Sequence, residues 1–140
     1  MSPPRYRAAL GWLAGLAGLA LLSSAGSAWA CGHCLEDRIA SVYDHALVER
    51  SQQQGRKIMY LRWDGPVVRD AALKSAMAAA AAGVAGVKAL DVRVALEPPT
   101  LAVPYDPRRM TAEALEQALG LRLRRMKMTV DALPDVSATN

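Results

Sequence analysis

The spacing of hydrophobic residues changes along this chain, and each change marks a predicted element. Residues 34–53 carry apolar side chains at helical intervals with charged residues between them, so an amphipathic helix is expected there. Residues 57–63 are rich in β-forming side chains and predict a strand that ends in a turn at 64–66. The alanine-rich segment 68–82 predicts a helix that stops at Gly83.

Two further strands and a helix follow in the second half of the chain. Apolar residues alternate with other residues over 90–96 and over 101–105, which predicts two strands. Pro104 favours an edge position, or an early end, for the second of them because proline cannot donate to a sheet. A short helix is expected over 111–119, closed by Gly120.

The last predicted strand covers residues 121–130 and is followed by a disordered tail, 131–140. Its alternation slips at Arg124-Arg125, where a β-bulge is expected. The basic residues of this segment are interpreted as a solvated strand face. They are Arg122, Arg124, Arg125 and Lys127.

These elements predict an α/β (α+β) fold, a ferredoxin-like βαββαβ sandwich with an extra N-terminal amphipathic helix. Right-handed crossovers place the two helices of the sandwich on one face of a four-stranded antiparallel sheet. The N-terminal helix then either covers the other face or packs beside the two helices. The predicted core residues are Met59, Leu61, Leu73, Met77, Val92, Val94, Leu101, Val103, Leu115, Leu119 and Met128.

The first thirty residues are typical of a secretory signal peptide. Arg5 and Arg7 precede an uncharged apolar run over 8–22, which is shorter than the ~20 residues of a membrane span. Ala28-Trp29-Ala30 matches an Ala-x-Ala cleavage site, so cleavage after Ala30 is predicted. An uncleaved anchor is one alternative, and a lipoprotein signal that modifies Cys31 is another, although the bulky Trp29 argues against it.

Cleavage would change both the length and the charge of the protein. Loss of 30 of the 140 residues, with two of the 17 basic residues, leaves 110 residues and a net charge of +2. That balance gives no reason to expect a nucleic-acid partner. Export predicts a periplasmic location. The expected layout is a signal peptide (1–30), an N-terminal segment with a helix (31–55), a ferredoxin-like domain (56–130) and the tail (131–140).

Both cysteines of the chain lie in one motif, Cys31-Gly-His33-Cys34, at the start of the predicted mature protein. A Cys-x-x-Cys pair at the start of a helix favours thiolates that bind a soft metal ion. Two thiolates satisfy Cu(I), with His33 as a secondary donor, whereas Zn(II) needs four ligands. The other histidine, His45, lies three turns along the predicted straight helix and cannot reach the same ion, so it is interpreted as an exposed or partly packed helix residue.

Two other functions remain open for the cysteine pair. The motif has the sequence of a disulfide-exchange site, which makes a dithiol redox protein the only enzymatic alternative. A structural disulfide in a protein-binding scaffold is the second alternative, although a ring closed over two residues removes little chain entropy. The sequence has no Ser/His/Asp nucleophile set, phosphate loop or pair of catalytic carboxylates.

Beyond these motifs, residues 58–130 resemble the heavy-metal-associated domain, the fold of small copper chaperones and of the N-terminal modules of metal-transporting ATPases. The matching stretches are Gly86-Val87, Val92-Arg93-Val94, Val103-Pro104-Tyr105-Asp106-Pro107 and Ala118-Leu119. The resemblance implies a ferredoxin-like carrier fold and partners such as a membrane metal transporter or a cuproprotein that awaits its metal.

The chain departs from this family in the loop that follows the first strand. The family binds metal there through Gly-Met-x-Cys-x-x-Cys, but Val68 and Ala71 occupy the two cysteine positions here. Neither side chain can bind a metal, so no ligand is carried over to this loop. The sequence therefore predicts a periplasmic heavy-metal protein, with Cu(I) as the expected ion, that uses Cys31, Cys34 and His33 instead.

Overall fold

The computed structural model describes residues 34–66 and 68–134, which form an α+β fold. A four-stranded antiparallel sheet has the strand order β2-β3-β1-β4. The elements are, in chain order, helices α1 (Leu35–Val42) and α2 (His45–Gln53), strand β1 (Lys57–Asp64), helix α3 (Ala71–Ala82), a 3₁₀ turn (Ala89–Asp91), strands β2 (Arg93–Leu96) and β3 (Pro99–Tyr105), helix α4 (Ala112–Arg124) and strand β4 (Thr129–Ala132).

The main core lies between one face of the sheet and helices α3 and α4. Alternate residues of each strand point to this face, and every third or fourth residue of both helices meets them. All predicted core residues are buried in it except Val94, which is partly buried and packs against it. Several other core residues were not predicted from the sequence. These are Trp63, Ala81, Val84, Val87, Tyr105 and Leu123.

Helix α1 lies on the second face of the sheet, which decides between the two placements left open by the sequence. Val42 packs there against Ala95 and Ala102, and Ile58 and Tyr60 adjoin this small cluster. Apolar burial is the main attraction between such layers, so even this short helix shields part of the face from water. Arg38 Nη1 also donates to the carbonyl of Pro99 over 3.0 Å.

The predicted single helix over 34–53 is wrong, because the chain breaks at Tyr43 and Asp44 into α1 and α2. Asp44 has an extended backbone, and its carboxylate accepts from the N–H of Leu47, which makes it the N-cap of α2. The same carboxylate receives two bonds from Arg93, at 2.7 and 2.9 Å. The bond to Arg93, with the N–H of Leu47, holds the pKa of Asp44 below its usual value.

The end of the domain also differs from the sequence prediction. Helix α4 continues through Gly120 to Arg124, so the predicted strand over 121–130 and its bulge are wrong. Leu123 explains the longer helix, because it extends the buried stripe of Leu115 and Leu119 by one more turn. Strand β4 then covers only Thr129–Ala132, which takes in the first two residues of the predicted tail.

Three smaller differences concern the middle of the chain. Leu90 is not in a strand but in the 3₁₀ turn, with 89 % of its surface exposed. Helix α3 begins at Ala71 rather than at residue 68, because Asp70 caps it. Strand β3 is internal to the sheet, so the edge prediction from Pro104 is wrong for the strand as a whole. Pairing with β2 nevertheless ends at Ala102, and beyond it β3 has β1 on one side only.

Candidate functional site

Of the three predicted metal ligands, Cys34 is described by the structure, whereas Cys31 and His33 lie outside the described residues. Cys34 immediately precedes α1, with an extended backbone, and its carbonyl accepts from the N–H of Arg38 over 3.1 Å. Its thiol is free and exposed and makes no capping hydrogen bond. The sulfur is therefore accessible, and no polar contact holds it against the helix end.

The first turn of α1, which follows Cys34, carries two acidic residues. Glu36 and Asp37 both lie there, next to the positive end of the helix dipole. The described residues contain no group of three or more histidine, cysteine or acidic side chains that could hold a metal ion. A metal at Cys34 would consequently depend on the two predicted donors that precede it in the sequence.

His45 is the first residue of α2 and does not join such a site. Its Nε2 lies 3.2 Å from a carboxylate oxygen of Glu49, and its Nδ1 lies 3.4 Å from the hydroxyl of Tyr43. The side chain is 72 % exposed. The straight helix predicted between Cys34 and His45 is not formed, because the chain breaks at Asp44. The interpretation of His45 as an exposed helix residue is nevertheless confirmed.

The loop between β1 and α3 has residues with structural roles in place of the metal ligands of the family. Asp70 accepts from the N–H of Leu73 over 2.9 Å and begins α3. The Arg69 guanidinium lies 5.1 Å from the centre of the Trp63 ring, a cation–π contact. Val68, at the first of the two family cysteine positions, is 71 % exposed. The described part of this loop therefore offers capping and packing groups in place of thiolates.

A groove that the sequence analysis missed lies beside α1, where β4 stops short of the full length of β1. It has a volume of about 720 Å³, and its lining includes Ile39, Tyr43, Ile58 and Tyr60. Burial raises the pKa of the Tyr60 hydroxyl, and the nearby Tyr43 adds to this effect. The alternation of Ile58 and Tyr60 with core residues was the one sequence signal for an apolar second face. The short pairing of β4 with β1 could not be predicted from this alternation.

Comparison of the chain with models of protein families, with curated proteins and with solved structures gives no match. Within residues 34–66 and 68–134, none of the helices is long and apolar enough to cross a membrane. The function is consequently inferred from the residues of this chain and from the chemistry they support.

Proposed function

We propose that this protein carries a soft metal ion, with Cu(I) as the preferred ion, on the thiolates of Cys31 and Cys34. His33 is a secondary donor. The observation that supports this proposal best is the state of Cys34, whose thiol is exposed and free at the start of α1. A carrier needs an accessible sulfur, because the metal must pass to another protein by ligand exchange. A buried cysteine would serve packing instead.

The choice of Cu(I) over Zn(II) follows from the number of available donors. Two thiolates separated by two residues satisfy Cu(I). A closed zinc site needs four ligands, and the described residues supply no cluster of three donors near Cys34 or elsewhere. The carboxylates of Glu36 and Asp37 lie in the adjacent turn. Their negative charge favours a thiolate pair that holds a cation over the same pair without one.

The rest of the domain is proposed to be a ferredoxin-like carrier scaffold related to the heavy-metal-associated domain. The strand order β2-β3-β1-β4, with α3 and α4 on one face, supports this assignment. The loop before α3 has lost the family ligands, so the N-terminal motif takes over the binding of the ion. Periplasmic partners, a membrane metal transporter or a cuproprotein, belong to this proposal.

A competition titration tests the metal site directly. The reduced protein is titrated with Cu(I) against a chromophoric Cu(I) chelator, beside a Cys31→Ser/Cys34→Ser variant. The wild type should bind one equivalent of Cu(I) at least about a hundredfold more tightly than the double variant, because soft thiolates are replaced by hydroxyls. His33→Ala should weaken binding by a smaller factor, and His45→Gln is the matched control that leaves it unchanged.

Two results would reject the proposal. Equal Cu(I) affinity of the wild type and the double serine variant would show that the cysteines do not hold the ion. Loss of Cu(I) affinity in His45→Gln would place the site elsewhere. If the wild type binds no Cu(I) but reduces insulin disulfides, and the double variant does not, a dithiol redox function replaces the carrier function.

A further inference from the structure

The end of α4 and the turn after it carry an exposed group of cations around a leucine. We name this group the α4 patch and define it as Leu121, Arg124, Arg125 and Lys127. All four residues are exposed, and Leu121 keeps 63 % of its surface open to solvent. The segment 117–130 that contains them has no acidic residue. The patch is therefore a local concentration of positive charge beside an apolar side chain.

Helix geometry gathers three of these residues on one face. Arg124 and Arg125 follow Leu121 by three and four positions, so they flank it on the outward side of the last turn. The buried stripe of this helix runs along the opposite side through Leu119 and Leu123. Lys127 follows in the turn, with a φ of 58°. The leucine thus lies between the positive charges and is not covered by them.

The cations of the patch form no ion pair, in contrast to six arginines elsewhere in the described residues. In the described part of the chain, no acidic group forms an ion pair with Arg124, Arg125 or Lys127. Three cations without an ion pair thus follow one another closely in the sequence at the end of α4. The arginine pairs are Arg50 and Arg56 with Asp91, Arg62 with Asp131, Arg69 with Glu97, Arg93 with Asp44, and Arg108 with Asp106.

Arg122, another exposed basic residue of this segment, lies close to a second helix of the fold. Its guanidinium lies against Gly83 at the end of α3, where an added Cβ would come within 3.1 Å of Nη1. Cations in the last turn of a helix also interact favourably with its dipole. These two roles account for Arg122, and we therefore exclude it from the patch. They do not account for an exposed leucine between two arginines.

We propose that the α4 patch docks this protein on an anionic membrane surface. Basic side chains near such a surface interact with lipid phosphates, and each strengthens binding about fivefold. An exposed leucine between them can bury its side chain at the level of the headgroups, as in amphipathic helices that lie on membranes. Patch and membrane are complementary in charge and in apolar character. This proposal does not depend on metal binding at the N-terminal motif.

Vesicle flotation with the full chain tests the docking. Vesicles with 30 % phosphatidylglycerol are compared with vesicles of phosphatidylcholine alone, at low and at high salt. The variant Arg124→Gln/Arg125→Gln/Lys127→Asn keeps good helix formers in α4 and a residue that tolerates positive φ in the turn. We expect it to bind the anionic vesicles about a hundredfold more weakly than the wild type, from three factors of about five.

The matched control removes three exposed cations from other places, Lys57→Gln/Lys88→Gln/Arg109→Gln. It has the same net charge as the patch variant and the same N-terminal residues, so any binding by the apolar run over 8–22 is common to both. It should retain most of the affinity. Leu121→Ser, which changes no charge, should bind about tenfold more weakly, because the leucine side chain no longer leaves water.

Three outcomes would overturn the docking. If the patch variant and the control variant weaken binding to anionic vesicles equally, the binding depends on net charge and not on the patch. Unchanged binding of Leu121→Ser would contradict the insertion of this residue. Binding of a soluble polyglutamate to the wild-type patch, without binding to anionic vesicles, would assign the surface to an acidic protein instead of a membrane.

Discussion

Replacing Gly120 by alanine tests whether α4 runs through this position as a regular helix. Gly120 lies inside Ala112–Arg124 and, unlike Gly55 and Gly86, does not have a positive φ. A Cβ added there would meet only Val130 Cγ2, at 3.9 Å, which is ordinary van der Waals contact. The side chain therefore fits, and alanine restricts the unfolded chain more than glycine does.

The magnitude follows from two contributions. Glycine inside a helix costs about 0.5–1 kcal/mol relative to alanine. The single new carbon contact with Val130 adds about 0.1–0.2 kcal/mol. Together they predict that Gly120→Ala raises the free energy of unfolding by about 1 kcal/mol. For a domain of roughly 100 residues, that corresponds to a rise in Tm of about 4–8 °C.

Urea unfolding followed by circular dichroism at 222 nm measures this change. At ordinary m-values the midpoint should rise by about 0.3–1 M. Gly55→Ala is the matched control, because Gly55 has a φ of 65° and open space around it. An alanine there suffers only the backbone penalty of about 1–2 kcal/mol, so this variant should be less stable. If Gly120→Ala is neutral or destabilising, α4 ends at Gly120 and the longer helix is refuted.

Two other predictions concern the core and the N-cap of α2. Leu119→Ala should lower the free energy of unfolding by about 2–5 kcal/mol, since Leu119 is fully buried. Leu121→Ala, at an exposed position, should change it by less than about 0.5 kcal/mol. Similar effects of the two variants in urea titrations would contradict the orientation of α4. Because the native pKa of Asp44 is lowered by Arg93, its contribution is present above the ordinary pKa of 3.8 and is lost as the pH falls through the lower native value. Asp44→Asn should therefore lose less stability than the wild type between about pH 5 and pH 2, and parallel profiles would contradict the ion pair.

The fold was predictable from sequence in segments whose hydrophobic spacing fits only a helix or only a strand. Strand β1 and the buried stripe of α3, with Leu73 and Met77, follow the predicted pattern. The segment after Leu119 was ambiguous, because Leu119 and Leu123 are four apart on a helix, while Leu121 and Leu123 are two apart on a strand. The structure buries Leu123 in the main core, and this burial favours the helix over the strand. Sequence spacing alone does not show which of the leucines is buried.

The break between α1 and α2 has a local sequence signal. Asp44 precedes Leu47 by three positions, the spacing of an N-cap and the N–H it accepts from. The apolar periodicity of residues 34–53 continued across the break and hid it. The partner of that cap, Arg93, is 49 residues away, so the second bond to Asp44 could not be read from local sequence. For the metal site, Cys31 and His33 remain predictions.

The separation of α1 from α2 has a consequence for the order in which the protein opens. Val42 is the one buried residue of α1, and the hydrogen bond from Arg38 to Pro99 is its one long-range side-chain bond to the sheet among those described. We expect a helix of two turns with so few contacts to open as a separate cooperative unit, so that its amide protons exchange without unfolding of the main core. Cys34 begins this unit. We therefore expect local opening of α1 to move the Cys34 thiol while the sheet, α3 and α4 stay folded.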